Sequence, residues 1–402
     1  MKTGPNNLAD IEFQLQWKSH HGIHTDCYFA RRVNFWRDVF PKTLCDSLMN
    51  RSIGDVVEVS FEPGAAVQKP EPAKLFRIRH SQFDEEFHTG TLIRPRRGRY
   101  YPKGMLRDVG NVFSVNIEPF RLAEIDDSGI LVDFNHPLAG TAIHLRAIIR
   151  GVESKRPERG GGMCKDWMET ITGGPGMQVR WNGHPTEFLS DNPFERTDKL
   201  PDSEFYRKPR FVNHIDRTAI GYISGLYKEV LSPDVNVLDL MSSWQSHLPR
   251  DLELARVTGL GLNREELEQN ERLTDFVIHD LNENPVLPFG DESYDAVICT
   301  VSVEYLTNPL AVFREVGRIL RPGGCLMLTF SNRWFPPKVI TIWQQLHEFE
   351  RMGLVSEYFF DLGRFGPVQT HSMRNLSRPE DDKYAATLSV SDPVYAVWAY
   401  KN

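Results

Sequence analysis

The chain has 402 residues, which at roughly 150 residues per domain corresponds to two or three domains. Hydrophobic residues make up 40% of the chain and charged residues 25%, which excludes a wholly disordered protein. The 47 basic and 54 acidic residues give a net charge of −7, which excludes a general polyanion binder. No apolar run reaches the roughly 18 residues of a membrane helix, and the first residues contain no apolar signal core. The five cysteines have no Cys-x-x-Cys spacing, so we expect a cytoplasmic protein with reduced thiols and no metal site.

The N-terminal segment, residues 8–155, is predicted to form a β-rich α+β domain. Residues 11–17 alternate apolar and polar side chains, as a half-buried strand does. Further strands are predicted at 55–61, 130–134 and 142–152, with a short helix at 43–49.

Two polar clusters in this segment suggest other chemistry. Residues 94–103 interleave basic residues with tyrosines, as a groove for single-stranded nucleic acid does. The negative net charge favours a solvated loop tip instead, so the sequence argues against nucleic acid as a partner. The second cluster has side chains of metal-binding type, but its spacing favours a polar turn of a hairpin; it consists of His20, His21, His24, Asp26 and Cys27.

The C-terminal part of the chain alternates strands with helices. Residues 156–204 are rich in Gly and Pro and are predicted to form a connector. From 205 to 402, strands are predicted at 236–240, 257–262, 276–281, 294–302 and 325–331, and helices at 265–273 and 309–320. This alternation predicts an α/β Rossmann-like doubly wound sheet, in which a ligand lies beyond the carboxyl ends of the strands.

Four ordered motifs in this part carry a family resemblance. They are VLDL at 237–240, Asp280-Leu281, LPFGDESYDAVICTVSVEYL at 287–306 and ILRPGG at 319–324. Together they resemble class I S-adenosyl-L-methionine (SAM)-dependent methyltransferases of type 11, over about residues 206–402. The resemblance implies SAM as the cofactor, a small-molecule methyl acceptor, no membrane partner, and an antiparallel final strand within 389–400.

The loop after the first strand departs from this family. The family's D-x-G-x-G-x-G loop would start at Asp239, but no glycine follows it here. Ser242 and Ser243 are expected to permit close approach of the cofactor and to bind its carboxylate. Met241 and Trp244 are expected either to wall the methionine moiety or to fill the pocket.

The resemblance assigns further cofactor contacts at the other strand ends. Asn263 stands where the family has the acid that binds the ribose hydroxyls, so only an amide is offered. Asp280 is expected at the adenine amino group with Leu281 beside it, and Ser302 is expected at the end of the fourth strand.

The acceptor side of the predicted pocket contains several candidates for catalysis. Methyl transfer is an in-line displacement, so the protein mainly positions and desolvates the nucleophile, and a hydroxyl or amine also needs a base. Tyr206 and Tyr305 are candidates for cation–π contact with the sulfonium. His214 is a candidate base or a packing residue, and Asn332 and Arg333 are candidates for binding a substrate anion.

The N-terminal segment resembles a second family. VDFNHPLAG at 132–140, Ser52-Ile53-Gly54-Asp55 and Tyr101-Pro102-Lys103 resemble FKBP-type prolyl isomerases of the SlyD-like sort, over about 10–155 with a flap insertion near 70–130. The aromatic positions of that family's pocket are aliphatic here, at Leu44, Val67 and Leu145. The resemblance therefore favours a domain that binds a protein client, or that only packs on the transferase domain, over proline isomerisation.

Three functions stay open from the sequence. The first is a SAM-dependent methyltransferase acting on a small-molecule thiol, hydroxyl or amine. The second is a catalytically inactive transferase-fold protein that binds or chaperones a client. The third is an RNA methyltransferase that uses the basic segment 94–103.

Overall fold

The computed structural model describes residues 1–87, 92–155, 163–189 and 191–402. The chain divides into two compact units, Met1–Asp191 with Gln345–Leu354, and Asn192–Gln344 with Val355–Asn402. Within the described residues, no helix is long and apolar enough to cross a membrane.

The first unit is built on an antiparallel sheet and a separate small sheet. Its elements in chain order are β1 (Asn7–Lys18), β2 (Gly22–Asn34), α1 (Lys42–Leu48), β3 (Val56–Phe61), β4 (Leu75–Ile78), β5 (Tyr100–Pro102), β6 (Pro119–Asp126), β7 (Gly129–Asp133), β8 (Ile143–Ser154) and α2 (Trp167–Thr172). Antiparallel pairing gives the order β2-β1-β8-β3 in the main sheet and β4-β7-β6-β5 in the small one. The chain that forms the small sheet is therefore inserted between β3 and β8, which pair with each other in the main sheet.

Part of the predicted connector belongs to the first unit. Asp166 caps α2 by accepting a hydrogen bond from the Glu169 backbone N–H. Trp167 and Ile171 on this helix are buried in the main core together with Phe13 of β1. Residues 156–162 of the predicted connector lie outside the described residues.

The basic segment 94–103 is not the solvated loop tip that we expected. Arg99, Tyr100 and Tyr101 are all buried, because Glu350 accepts hydrogen bonds from Arg99 Nε at 3.3 Å and from the Tyr100 backbone N–H at 2.8 Å. Arg96 is paired with Asp191 and, at 3.6 Å, with Glu187. Much of the positive charge in this segment is thus compensated within the unit.

The histidine-rich hairpin is also more buried than a polar turn. His24 is 3% exposed and its ring stacks on Trp17, 4.0 Å between centroids. Burial lowers the pKa of His24 to about 3. Trp17 Nε1 donates to Asp26 at 2.8 Å, so the indole and the carboxylate form part of the strand packing.

The three aliphatic positions of the FKBP-like pocket are buried in one hydrophobic cluster. Leu44 and Leu145 are fully buried and Val67 is 9% exposed. They pack with Phe13 and Trp167 in the core of the main sheet. The FKBP-like identity of this unit stays a prediction.

The second unit is built on one mixed sheet. Its elements are α3 (Asp202–Phe205), α4 (Arg217–Val230), β9 (Asn236–Leu240), β10 (Arg256–Gly261), α5 (Arg264–Glu268), β11 (Asp275–Ile278), β12 (Tyr294–Thr300), α6 (Pro309–Ile319), β13 (Leu320–Phe330), α7 (Thr341–Gln345), α8 (Glu348–Leu362, whose first residues group with the first unit), β14 (Val368–Arg374) and β15 (Val394–Tyr400). The strand order is β11-β10-β9-β12-β13-β15-β14. The first five strands run parallel, and β15 is antiparallel to both β13 and β14. The predicted antiparallel final strand is confirmed.

The strand order places a ligand site beside β9. The chain runs from β9 outward through β10 to β11 and then returns to the other side of β9 as β12. The loops that follow β9 and β12 thus leave in opposite directions, which opens a crevice at the carboxyl ends of these strands. Asp239 lies near the end of β9 and is 3% exposed.

Candidate functional site

A cavity lies at this crevice, entirely within the second unit. Most of the predicted site residues line it. They are Tyr206, His214, Asp239, Met241, Ser242, Ser243, Asn263, Asp280, Leu281, Ser302 and Tyr305, with Trp244 beside them. The remaining two, Asn332 and Arg333, do not line the cavity: Asn332 is exposed, and the Arg333 guanidinium lies 4.8 Å from the Tyr384 ring centroid.

The loop after β9 holds its shape through side chains. Asp239 accepts a hydrogen bond from Ser242 Oγ at 2.6 Å and another from Ser246 Oγ. Burial raises the pKa of Asp239 to about 6, against the opposing effect of the two hydroxyls. Met241 has φ 58°, in the left-handed region that glycine adopts most easily. A left-handed turn therefore survives here without glycine.

A glycine at the end of β10 allows this loop to pass close by. A Cβ atom on Gly261 would lie 2.3 Å from the Ser242 carbonyl oxygen. Ser242 N–H donates to the Leu260 carbonyl at 2.7 Å, which fixes the loop against the strand. Gly261 therefore gives the loop after β9 the room to pass against the neighbouring strand β10.

The side chains predicted to bind the ribose hydroxyls and the cofactor carboxylate are hydrogen-bonded within the protein in this structure. Asn263 is not free to bind ribose hydroxyls, because its Nδ2 donates to the carbonyls of Tyr206 at 2.9 Å and Arg207 at 3.1 Å. Its Oδ1 accepts from the Glu266 backbone N–H at 3.1 Å and caps α5. The hydroxyls of Ser242 and Ser243 are also not free to donate to the carboxylate of a cofactor. Ser242 donates to Asp239, and Ser243 donates to Glu266 at 2.6 Å.

Glu266 is a site residue that the sequence analysis missed. Its carboxylate is 8% exposed, lines the cavity, and accepts from Ser243 Oγ and from the Arg210 backbone N–H at 2.7 Å. An acid three residues after the strand-end asparagine, in the first turn of a predicted helix, was the available signal.

The third strand end supplies polar groups that are partly committed to the loop. Asp280 Oδ1 accepts from the Asn282 backbone N–H at 2.9 Å, which leaves its other oxygen without a described hydrogen bond. Asn282 Nδ2 donates to Asp202 at 2.7 Å and to the Tyr305 carbonyl at 2.9 Å. Leu281 is 3% exposed and lines the cavity, so an apolar surface and a carboxylate stand side by side.

Aromatic rings from three segments, Tyr206, Tyr305 and Phe335, also line the cavity. Burial raises the pKa of both Tyr206 and Tyr305, so both phenols stay protonated at neutral pH. The Tyr305 hydroxyl accepts from the Phe335 backbone N–H at 2.8 Å, which leaves its proton available to a ligand. The rings of Tyr305 and Phe335 are 6.0 Å apart.

Three histidines line the same cavity, His214, His247 and His279, and the sequence analysis identified one of them. Burial lowers the pKa of His214, with smaller contributions from Arg210 and Lys383. Burial lowers the pKa of His247 to about 4, with His214 contributing. The Nδ1 atom of His247 is buried and has no hydrogen-bond partner among the described residues. The sequence signal for His247 was its place directly after the loop 239–246, which lacks the family's glycines.

Comparison with known proteins agrees with this geometry. Residues 242–328 match the family model described as "Methyltransferase domain". Methyltransferase GfsG of Streptomyces halstedii is 35% identical over 80 residues, which are 18% of this chain and 29% of that protein. Phthiotriol/phenolphthiotriol dimycocerosates methyltransferase 1 of Mycobacterium ulcerans (strain Agy99) is 40% identical over 89 residues, 21% of this chain and 32% of that protein. The chain thus matches less than a third of the length of either relative.

Among solved structures, a SAM-dependent methyltransferase from Aquifex aeolicus is 15% identical, with a TM-score of 0.31; the match covers 51% of this chain and 100% of that one. The family match within residues 242–328 supports a class I methyltransferase domain in the second unit, with SAM as its cofactor.

Proposed function

We propose that this protein transfers a methyl group from SAM to a small-molecule acceptor in the cavity of the second unit. The observation that carries the proposal is one cavity, at the carboxyl ends of β9, β10 and β12, in a segment that matches the methyltransferase family. Asp239 and Asp280 line it from two of the strand ends that the sequence analysis selected.

The donor set of the cavity suits this cofactor. Asp280 offers a free carboxylate oxygen for an adenine amino group, and Leu262 and Leu281 offer apolar contact for its ring. Glu266 lines the cavity and is buried, and we assign its carboxylate, rather than the Asn263 amide, to the ribose hydroxyls. Asp239 acts as a positioning residue, because its hydrogen bonds fix Ser242 and Ser246.

The chain's own residues would then prepare the acceptor. When bound, SAM would supply an electrophilic methyl group on its sulfonium sulfur, with a neutral thioether as the leaving group. Tyr206 and Tyr305 place aromatic rings on the wall where a sulfonium gains from cation–π contact. His247 is the proposed acceptor of the proton that a hydroxyl or amine acceptor releases, because its buried Nδ1 has no described partner; its low pKa makes it a weak base.

Calorimetric titration of the full-length protein with SAM and S-adenosylhomocysteine tests the proposal. We expect a micromolar dissociation constant, which corresponds to a standard free energy of binding on the order of −8 kcal/mol. Asp280→Ala should weaken both ligands, whereas Glu271→Gln, an exposed acid outside the cavity, should leave them unchanged. Absence of binding by the wild-type protein would favour the catalytically inactive alternative. Radiolabelled SAM incubated with metabolite pools, followed by identification of labelled products, would define the acceptor.

An RNA acceptor has less support. Arg96 is compensated by acids of its own unit and Arg99 is buried, so segment 94–103 offers few phosphate contacts. For the first unit, we propose a binding role toward a protein client rather than proline isomerisation, since the described residues at the positions of an FKBP-like pocket are buried in the core and leave no open cleft there.

A further inference from the structure

Arg210 holds a guanidinium among three aromatic rings on the cavity wall. Its Cζ lies 4.6 Å from the ring centroid of Phe205, 5.5 Å from that of Tyr206 and 5.7 Å from that of Phe335. Nη2 donates to the Phe205 carbonyl at 2.9 Å, and the backbone N–H donates to Glu266. These contacts fix the plane and position of the guanidinium before any ligand arrives.

The charge of this guanidinium is not compensated by an anion. Within the part of the chain that the structure describes, Arg210 forms no ion pair, although Asp202, Asp239, Glu266 and Asp280 all line the same cavity. Its Nη1 atom is buried and has no hydrogen-bond partner there. A buried donor without a partner is destabilising, and more so when it is charged. Such a group is stable mainly when a ligand completes it.

The cavity also lacks the usual donors for a carboxylate in the loop after β9. The hydroxyls of Ser242 and Ser243 donate to Asp239 and Glu266, and no glycine exposes the backbone there. A guanidinium binds a carboxylate through two parallel hydrogen bonds, which neither a serine hydroxyl nor an ammonium provides. Arg210 is therefore the cavity group best suited to that anion.

We propose that Arg210 binds a carboxylate in this cavity, carried either by the amino-acid end of SAM or by the methyl acceptor. The inference rests on the proposed methyltransferase function and adds to it the binding of one anionic group. Both sources share the same chemistry, and two pairs of ligands separate them.

The first pair tests the cofactor. S-adenosylhomocysteine carries the amino-acid carboxylate, whereas 5′-methylthioadenosine has the same nucleoside without it. If the cofactor is the source, Arg210→Gln should weaken binding of S-adenosylhomocysteine by about 10- to 100-fold and leave 5′-methylthioadenosine unchanged. Arg207→Gln, an exposed arginine three residues earlier, is the matched control and should change neither.

The second pair tests the acceptor. Benzoate and benzamide are titrated, by ligand-observed NMR, into protein saturated with S-adenosylhomocysteine. If the acceptor is the source, the wild-type protein should bind benzoate, Arg210→Gln should lose that binding, and benzamide should behave alike in both. If Arg210→Gln alters neither S-adenosylhomocysteine nor benzoate, the proposal is overturned.

The test remains decisive if Arg210→Gln does not fold or if the wild-type protein binds no nucleoside. If Arg210→Gln does not fold, Arg210→Lys keeps the charge but loses the paired hydrogen bonds, and it should show the same selective loss to a smaller degree. If wild-type protein binds neither nucleoside, the proposed function fails, while titration of benzoate into the ligand-free protein still decides the role of Arg210.

Discussion

Ser242 donates a hydrogen bond of 2.6 Å to the buried carboxylate of Asp239, in the loop that follows β9. The hydroxyl thus stabilises the strand-end acid instead of facing a ligand. Ser246 does the same from the other side of the loop. Aspartate and loop form one unit, so a change in the charge of Asp239 should affect both folding and cofactor binding.

Asp239 should make stability depend on pH. Burial raises its folded pKa to about 6, above the value of roughly 3.9 of an unfolded aspartate. The folded protein therefore keeps a proton that the unfolded chain releases, so this contribution to the free energy of unfolding is largest below about pH 4 and is lost as pH rises through about 6. The loss amounts to at most about 3 kcal/mol.

Denaturant unfolding of wild-type protein and Asp239→Asn at pH about 4 and about 7 measures this contribution. The wild-type protein should lose more stability than the variant between the two values. Equal changes in both proteins would show that Asp239 does not titrate in this range.

The close approach between Gly261 and Ser242 predicts a position-specific effect of alanine. Gly261→Ala would place a Cβ 2.3 Å from the Ser242 carbonyl oxygen, so the loop must shift. We expect destabilisation by about 1 to 3 kcal/mol and weaker SAM binding. Gly225→Ala in α4, where a Cβ meets nothing within 4 Å, should be neutral or stabilising by up to about 1 kcal/mol. Thermal unfolding and calorimetry compare the two variants, and similar effects at both positions would contradict the argument.

The buried pair Arg99–Glu350 in the first unit should be costly to break. Both side chains are at most 3% exposed, and Glu350 also accepts from the Tyr100 backbone N–H. Arg99→Met should therefore destabilise the unit by about 3 to 5 kcal/mol, because it leaves a buried carboxylate with no counter-charge. Arg77→Met, which breaks an exposed pair with Glu124, should cost about 1 kcal/mol or less.

Adding Glu350→Gln to Arg99→Met tests the cause. An uncharged amide still accepts from Tyr100, so the double variant should regain part of the lost stability in denaturant unfolding. A double variant less stable than Arg99→Met alone would show that charge is not the reason.

The first unit should not catalyse proline isomerisation. Leu44, Val67 and Leu145 are packed in the main core, and no tyrosine hydroxyl replaces the one that the family places at Val67. In a proline-peptide assay, the rate should stay at background, and Val67→Ala should not change it. A wild-type rate above background would require an opening of this core.

The strands of the second unit were predictable because each is a short apolar run ended by a polar residue. β9 coincides with the predicted range, and α6 differs by one residue. β11 ends at Ile278, earlier than expected, because Asp280 turns the chain by accepting backbone N–H groups. Helix α2 was missed because its signals, the Asp166 cap and buried Trp167, stand among glycines and prolines.

The sequence predicted which residues lie at the strand ends, but it did not predict the hydrogen-bond partners of these residues. Asn263 lies at the expected strand end, but its partners are carbonyls 56 and 57 residues earlier in the chain, which no local pattern shows. Arg333 follows β13 as expected, yet contact with Tyr384 holds it away from the cavity. Arg210 and Glu266 matter through their surroundings, which only the folded chain defines.

Met241 makes the left-handed turn of the loop after β9 although it is not glycine. The left-handed conformation costs an L-residue about 1 to 2 kcal/mol, which is small compared with the packing energy of a whole sheet. The left-handed turn of this loop therefore does not depend on the glycines of the family motif. The glycine that this backbone path requires is Gly261 in the neighbouring strand, where a side chain would collide with the loop.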